Sequence, residues 1–141
     1  MYLVSKCLAG FPCRMDGQSK GVPEIIQLVT EGKAVPVCPE VLGGLPTPRK
    51  PSERLADGRV LNCDGVDNTA AFVKGAQEAL RICREHGCTM AVLKSKSPSC
   101  GLGIIHDGKF DGGLVEGNGI FAELLLSEGI PVMTELDFTE K

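Results

Sequence analysis

The sequence predicts an α/β fold: a single-domain, layered, Rossmann-like structure with a mostly parallel sheet flanked by helices, plus short hairpins. Two observations support this fold class. Short apolar runs of strand length alternate with segments whose apolar residues recur at helical spacing. The 141 residues contain no recognisable linker or repeat, so we expect one domain spanning 1–141.

The first part of the chain is predicted to form two strands joined by a helix. The apolar segment 2–6 is the first strand, and a loop rich in glycine and proline follows it. Pro23 suits the first position of a helix, and Gly32 suits its end. Ala34–Val37 is the second strand. The apolar stripe predicted for the helix consists of Ile25, Ile26, Leu28 and Val29.

The segment 39–51 is rich in proline and glycine, and we expect an ordered loop with little regular structure there. The pair Asp57-Gly58, between R-L-A and R-V-L, predicts a hairpin. The stretch I-I-H-D-G-K-F at 104–110 predicts a second Asp-Gly hairpin.

Four more elements complete the predicted sheet and its helices. A long helix is capped by Asp67 or Asn68 and runs to about His86, where Gly87 stops it. The later elements are a strand at 88–93, a helix at 119–127 with Phe121, Leu124 and Leu125 on one face, and a strand at 130–134. The stripe predicted for the long helix consists of Phe72, Val73, Ala76, Leu80 and Cys83.

Charge and hydropathy exclude several classes of protein. The net charge is −3 and the isoelectric point about 5.4, which does not favour binding to nucleic acid or to an anionic membrane. No apolar run reaches 18 residues, and the start M-Y-L-V-S-K-C lacks the pattern of a signal peptide. We therefore expect a cytoplasmic protein, and the sequence leaves its oligomeric state open.

Three of the seven cysteines follow predicted strands. Cys7 and Cys38 come directly after the first two strands, and Cys100 closes the loop L-K-S-K-S-P-S-C-G after the third. The loops at the carboxyl ends of parallel strands form the ligand crevice of open α/β sheets. The three thiols are therefore predicted to converge on one site.

The other cysteines have simpler explanations. Cys83 lies on an apolar helix stripe and Cys88 opens a buried strand, so both are predicted to be inert core thiols. Cys63, in N-C-D-G, is an incidental loop thiol. Cys13 lies in the same glycine- and proline-containing loop as Cys7 and is either a neighbouring thiol or an alternative ligand.

Three converging thiolates are compatible with several chemistries. A structural zinc site needs a fourth ligand, and His86 and His106 are both predicted to lie on the surface. An iron–sulfur cluster is normally held by four cysteines, so three leave one iron with an open position for a substrate. The alternative without metal is one activated thiolate, and Cys100 near Lys94 and Lys96 is the best candidate.

Acid–base and substrate-binding groups are predicted close to these cysteines. Glu40, two residues after Cys38, can shuttle protons if burial raises its pKa. Ser97 and Ser99 flank a proline, so both hydroxyls can face one pocket. Asp16, in R-M-D-G, is explained as a turn residue and is also a candidate for substrate binding with Ser99. Three cations that could hold an anionic ligand, each more often solvated on its own, are Arg14, Arg49 and Lys96.

Taken together, three motifs resemble the small bacterial DUF523 family, whose characterised members are 2-thiouracil desulfurases. The motifs are C-L-A-G-F-P-C-R-M-D-G, V-P-V-C-P-E-V-L-G-G-L-P-T-P-R and L-K-S-K-S-P-S-C-G, followed by the strand G-I-P-V-M-T-E. They occur in this order and extend over nearly the whole chain. The family commonly has an aromatic residue where this chain has Met15.

The resemblance implies a [4Fe–4S] cluster with three protein ligands and one open iron. Its ligands would be Cys7, Cys38 and Cys100, its catalytic acid/base Glu40 and its catalytic serine Ser97. The open iron would take the thiocarbonyl sulfur of 2-thiouracil or a related thioamide, and water would replace sulfur at carbon. Two alternatives remain: a sulfur or cluster carrier without turnover, and a cluster-free enzyme that uses one thiolate.

Overall fold

The computed structural model describes residues 1–139. In chain order, its strands are β1 (Tyr2–Ser5), β2 (Ala34–Val37), β3 (Ser52–Arg54), β4 (Val60–Asn62), β5 (Met90–Leu93), β6 (Ile104–His106), β7 (Leu114–Glu116) and β8 (Val132–Thr134). Its α-helices are α1 (Pro23–Thr30), α2 (Pro39–Leu42), α3 (Thr69–Glu85), α4 (Ile120–Ser127) and α5 (Glu135–Thr139). The single domain predicted over 1–141 includes two residues outside this range, and its extent stays a prediction.

Four strands form one parallel sheet in the order β2-β1-β5-β8. In its register Leu3 lies opposite both Val35 and Ala91, and Val92 lies opposite Met133. Because all four strands run in the same direction, their carboxyl ends meet at one edge. The predicted α/β class with a mostly parallel sheet is confirmed.

The two faces of the sheet bury different side chains, because successive residues of a strand point to opposite sides. Leu3 and Leu93 face a core that α3 and α4 complete, with Phe121 fully buried in it. Val4 and Val92 face the second core, which also contains Ile25 of α1 and Leu8. The fold therefore has helix, sheet and helix layers, and most of its buried side chains are aliphatic.

The stripes predicted for the helices are correct at their centres and wrong at their edges. Phe72, Ala76, Leu80 and Cys83 of α3 are buried, whereas Val73 is 38% exposed. Gly75 and Ala79 are buried on the same helix face, although neither belonged to the predicted stripe. In α1, Ile25 is fully buried and Ile26 is 39% exposed. Only residues at the centre of a helical stripe are sure to face the sheet.

A short helix interrupts the segment 39–51, where the composition predicts little regular structure. This helix, α2, begins at Pro39 and packs closely against α3. A Cβ atom at Gly75 would lie 1.7 Å from the carbonyl oxygen of Pro39, and one at Gly43 would lie 2.0 Å from that of Ala71. One helical turn is too short to show periodicity, and only glycine permits this approach.

Both predicted hairpins are present, with longer connections than an Asp-Gly turn. Strands β3 and β4 pair antiparallel around Asp57-Gly58, and β6 and β7 pair antiparallel around the loop 107–113. Glu53 of β3 is buried and joins the two hairpins. Its Oε1 accepts hydrogen bonds from the backbone N–H groups of Gly108 (3.0 Å) and Phe110 (3.2 Å).

Candidate active site

A cavity of about 370 Å³ lies at the carboxyl ends of β1, β2 and β5. This volume is within the range of pockets that hold small ligands and cofactors. The parallel sheet explains its position, because loops from three neighbouring strands meet at this edge. The predicted site residues in its lining are Cys7, Cys38, Cys100, Glu40, Ser97 and Ser99.

Each of the three cysteines is presented by a different local structure. The chain leaves β1 in a 3-10 turn (Lys6–Ala9), of which Cys7 is the second residue. Cys38 is the N-cap residue of α2. Cys100 is followed by Gly101, where a Cβ atom would lie 2.7 Å from the carbonyl oxygen of Ser97. Glycine at that position allows the loop to turn back on itself.

Cys13, whose role the sequence leaves open, also lines the cavity. Its thiol interacts with the thiols of both Cys7 and Cys38. The sulfur of Cys38 also lies 3.9 Å from the backbone carbonyl oxygen of Cys13. Four thiols therefore surround one cavity, while Cys83 and Cys88 are buried elsewhere in the core and Cys63 is exposed.

Burial and neighbouring thiols raise the pKa of three of these cysteines, Cys13, Cys38 and Cys100. The contact with Cys13, together with burial, raises the pKa of Cys38 well above its usual value. Burial raises the pKa of Cys100 to about 12, although hydrogen bonds with Ser5 and Ser99 oppose the shift. For Cys13, the contact with Cys38 lowers the pKa, but the contact with Cys7 and burial together raise it.

The prediction that lysines activate Cys100 as a thiolate is therefore wrong. Burial disfavours its charged form, and Cys38 and Glu40 add repulsion. Lys94, one of the two expected activators with Lys96, pairs instead with Glu135 at 3.0 Å. A buried thiol of this kind becomes a thiolate when a metal replaces its proton.

The donor set fits a polynuclear iron–sulfur cluster better than a single ion. Within residues 1–139, no group of three or more His, Cys, Asp or Glu side chains is spaced to hold one metal ion. The thiolates of a cluster bind different irons, so they stand farther apart than the ligands of one ion. Soft thiol donors from several loops around one cavity match this requirement.

Glu40 lies in the first turn of α2 and is held at both carboxylate oxygens. Arg49 Nε donates to its Oε1 at 3.2 Å, and Ser99 Oγ donates to its Oε2 at 3.2 Å. Ser97 Oγ lies 3.1 Å from Ser99 Oγ and accepts hydrogen bonds from the backbone N–H groups of Ser99 and Cys100. The two serines and Glu40 thus form one hydrogen-bonded chain beside the Cys100 thiol.

The loop 94–101 is also anchored from outside the cavity. The carboxylate of Glu135, at the start of α5, accepts hydrogen bonds from the backbone N–H and hydroxyl of Ser95 and from Lys94 Nζ. The backbone N–H of Lys94 donates to Ser5 Oγ at 2.8 Å. Lys96 adopts a φ of 66°, which is rare for a residue with a side chain. The site loop is therefore rigidly held at its first residues.

Similarity to known proteins identifies the family of this chain. Residues 2–137 match the family model described as 2-thiouracil desulfurase. The chain belongs to the 2-thiouracil desulfurase family. It is 37% identical over 149 aligned residues to the uncharacterised protein YbbK of Bacillus subtilis (strain 168), covering 99% of both chains.

A solved structure has the same fold and a related sequence. It is the [4Fe-4S]-dependent thiouracil desulfidase TudS (DUF523Vcz). The TM-score is 0.92 at 46% sequence identity, and the match covers 99% of this chain and 93% of the other. The similarity of the sequence motifs to this family is confirmed over almost the whole chain.

Met15 and Asp16, neighbours in the first motif, differ in their relation to the cavity. Met15, at the position where the resemblance leads us to expect an aromatic residue, lines the cavity and is 37% exposed. Asp16 is outside the lining: its Oδ1 accepts from the backbone N–H of Gln18 at 2.9 Å, and its Oδ2 lies 3.6 Å from Arg14. These contacts match the turn explanation of Asp16, and its part in substrate binding stays a prediction.

Several residues in or beside this desulfurase-family site were misjudged or missed. His106 lines the cavity and is partly buried, so the prediction of a surface position is wrong. Among residues 1–139, its Nδ1 is a buried atom without a hydrogen-bond partner. Arg49, expected to be solvated, has a side chain that is only 7% exposed. The position of Arg49 in the proline-rich segment L-P-T-P-R could have indicated an ordered side chain. No local pattern indicated a structural role for Ser5 or Glu135.

Proposed function

We propose that this protein is a [4Fe–4S]-dependent desulfurase. It removes sulfur from a thiocarbonyl compound, 2-thiouracil or a related thiolated base, and yields the oxo product and sulfide. The observation that supports this most strongly is that Cys7, Cys38, Cys100, Glu40 and Ser97 all line one cavity. The chain also belongs to the 2-thiouracil desulfurase family, and its structural match to TudS covers 99% of its residues.

Cys7, Cys38 and Cys100 are the proposed ligands of the cluster. They come from three separate loops, so together they can bind three different irons of one cluster. When bound, such a cluster with one open iron supplies a soft Lewis-acid position suited to thiocarbonyl sulfur. Loading it requires the three thiols to lose their protons, which the raised pKa values of Cys38 and Cys100 make pH-dependent.

Glu40 is the proposed proton carrier of the reaction. Its side chain is 16% exposed, so it reaches the cavity while two donors fix its orientation. An ionised carboxylate has about four acceptor positions, and these two bonds leave others for water. Glu40 would take one proton from the attacking water and pass it to the leaving sulfur. The second water proton would leave as the C=O bond forms and the C–S bond breaks, so that the thiocarbonyl compound and water give the oxo product and hydrogen sulfide.

Ser97 is proposed to hydrogen-bond the reacting part of the substrate. Its oxygen already accepts two backbone N–H groups, so its remaining capacity is to donate its own hydrogen. In the structure that hydrogen can go to Ser99, 3.1 Å away. A substrate atom in the cavity would take the place of Ser99 as the acceptor, and the hydroxyl would stabilise its developing negative charge.

The proposed partner is a small molecule rather than a macromolecule. The cavity volume of about 370 Å³ suits a pyrimidine base beside a cofactor. The net charge of −3 gives no electrostatic support for nucleic-acid binding. No helix within residues 1–139 is long and apolar enough to cross a membrane.

The test is turnover by protein reconstituted anaerobically with iron and sulfide. We expect loss of the thiocarbonyl absorption of 2-thiouracil together with release of one sulfide per uracil formed. Protein without iron should show neither. A reconstituted protein that carries the cluster and turns over none of several thiolated bases would contradict the desulfurase function and favour a carrier.

A further inference from the structure

Arg49 is a charged residue in an almost buried position. Its side chain is 7% exposed, and it lies at the end of the proline-rich segment behind α2. Removing a guanidinium from water is unfavourable unless it is paired and hydrogen-bonded. Its backbone N–H also donates to the carbonyl oxygen of Met15 at 2.7 Å, which holds the segment against the first cysteine loop.

The guanidinium of Arg49 forms hydrogen bonds with the side chain of Glu40, with the backbone at Cys13 and with its own segment at Pro46 and Thr47. Its Nε donates to Glu40 Oε1 at 3.2 Å. Its Nη1 donates to the carbonyl oxygen of Cys13, to that of Pro46 and to Thr47 Oγ1, each at 3.2 Å. A rigid planar group with several fixed donors can meet these directions together, whereas a lysine has a single ammonium on a flexible chain.

The carboxylate of Glu40 is thereby held between two opposed donors. Arg49 occupies one oxygen, and the hydroxyl of Ser99, which is 1% exposed, occupies the other. Ser99 in turn belongs to the loop that presents Cys100. The orientation of the carboxylate is therefore determined by two buried groups from distant parts of the chain.

We propose that Arg49 is a positioning residue that acts on the reaction through Glu40, by aiming its carboxylate into the cavity. This inference rests on the proposed desulfurase function. The Nε and Nη1 donors of Arg49 are already bonded to protein atoms, so a role in binding an anionic substrate would fall to Nη2 and would appear in KM. Misplacing a reacting group by about 1 Å can lower a rate by about 100-fold.

The test compares Arg49→Met and Arg49→Lys with Arg59→Met. Arg59 is a matched control, because it pairs with Asp57 on an exposed hairpin turn and is 55% exposed. For Arg49→Met we expect kcat to fall about 10- to 100-fold with KM within about twofold. Arg49→Lys should be intermediate, and the control should match the unaltered protein.

A double-substitution cycle separates positioning from a general structural effect. In the Glu40→Gln background, measured in single turnovers, Arg49→Met should lower the rate by less than about twofold. The iron content and visible absorption of the reconstituted variants should equal those of the unaltered protein. If Arg49→Met does not accumulate as folded protein, the same cycle is run with Arg49→Lys.

Three results would overturn the inference while the desulfurase function stands. They are a raised KM with unchanged kcat, an equal rate loss with and without Glu40, and loss of iron from the Arg49 variants. The first would mean that Arg49 binds substrate directly, and the last that it serves the cluster site. Absence of turnover in the unaltered, iron-loaded protein would overturn the proposed function and this inference with it.

Discussion

Glu40 combines partial burial with hydrogen bonds at both of its oxygens, which is the geometry expected of a fixed proton carrier. We expect Glu40→Gln to lower kcat about 100- to 10,000-fold while iron content is retained, because an amide cannot accept and return a proton. Turnover kinetics with matched iron analysis check this. Glu24→Gln is the control, since Glu24 is an exposed acid in the first turn of α1. A rate within twofold of the unaltered protein would remove Glu40 from the chemistry.

The four thiols around the cavity are not expected to be equivalent. Cys7, Cys38 and Cys100 each follow a strand of the sheet, whereas Cys13 lies farther along the first loop. We expect serine at any of the first three positions to abolish the visible absorption of the reconstituted cluster. Cys13→Ser should retain it.

Iron and acid-labile sulfide analysis gives the measurement for these cysteine variants. The exposed thiol of Cys63 provides the control, and Cys63→Ser should load iron as the unaltered protein does. If Cys13→Ser lost the cluster and Cys38→Ser loaded iron fully, Cys13 would be the ligand and Cys38 would not.

At the scale of elements, α5 stabilises the loop 94–101 through Glu135. Burial on its own would raise the pKa of Glu135, but hydrogen bonds from Lys94 and Ser95 outweigh it and hold the pKa below its usual value. The stabilisation is then present in full above pH 4.5, the ordinary value, and is lost as the pH falls through the lower pKa of the folded state.

We expect Glu135→Gln to reduce the free energy of unfolding at pH 7 by about 1–3 kcal/mol. The difference from the unaltered protein should shrink as the pH falls below about 4.5. Denaturant unfolding at several pH values measures it, with Glu128→Gln as control because Glu128 forms an exposed pair with Arg84. A difference that does not change with pH would mean that the charge of Glu135 contributes nothing.

The contact between α2 and α3 is a second element on which the site depends. Alanine usually stabilises a helix interior relative to glycine by about 1 kcal/mol. We expect Gly75→Ala to do the reverse, because its Cβ would lie 1.7 Å from the carbonyl oxygen of Pro39. The cost should be about 1–3 kcal/mol, as for other overpacked cores, with a loss of activity because α2 carries Glu40.

Thermal unfolding and turnover of Gly75→Ala test this contact together. Lys74→Ala, at the neighbouring exposed position of α3, should change the stability by less than about 0.5 kcal/mol. Normal stability of Gly75→Ala would show that α2 can move away from α3 without cost.

At the scale of the whole molecule, cluster binding is expected to stabilise the fold. The proposed ligands belong to three loops that extend from adjacent parallel strands, so only the folded chain brings them together. A ligand that binds only the native state contributes about 3 kcal/mol at a hundredfold excess over its dissociation constant.

We therefore expect anaerobic reconstitution to raise Tm by more than about 5 °C, measured by calorimetry or circular dichroism under argon. Cys100→Ser treated in the same way should show no rise. An equal rise in both proteins would mean that iron stabilises the chain elsewhere.

Much of the fold follows from local pattern. The parallel strands, the two hairpins and the ends of the long helix are all marked by apolar periodicity and by glycine, proline or aspartate at turns. The pattern is less informative at the edges of stripes, as Val73 and Ile26 show, and across the single turn of α2. A short element gives too few residues for a period to be recognised.

The sequence by itself determined the sheet class, the three strand-end loops and the candidates Cys7, Cys38, Cys100, Glu40 and Ser97. A parallel sheet brings such loops to one edge whatever the details of packing.

The tertiary structure decided the rest. It buried Arg49 against Glu40, placed Cys13 and His106 at the cavity, paired Lys94 with Glu135 and raised the pKa of the Cys100 thiol by burial. These properties depend on contacts between residues far apart in the chain and on exclusion of water, which no local pattern of residues encodes.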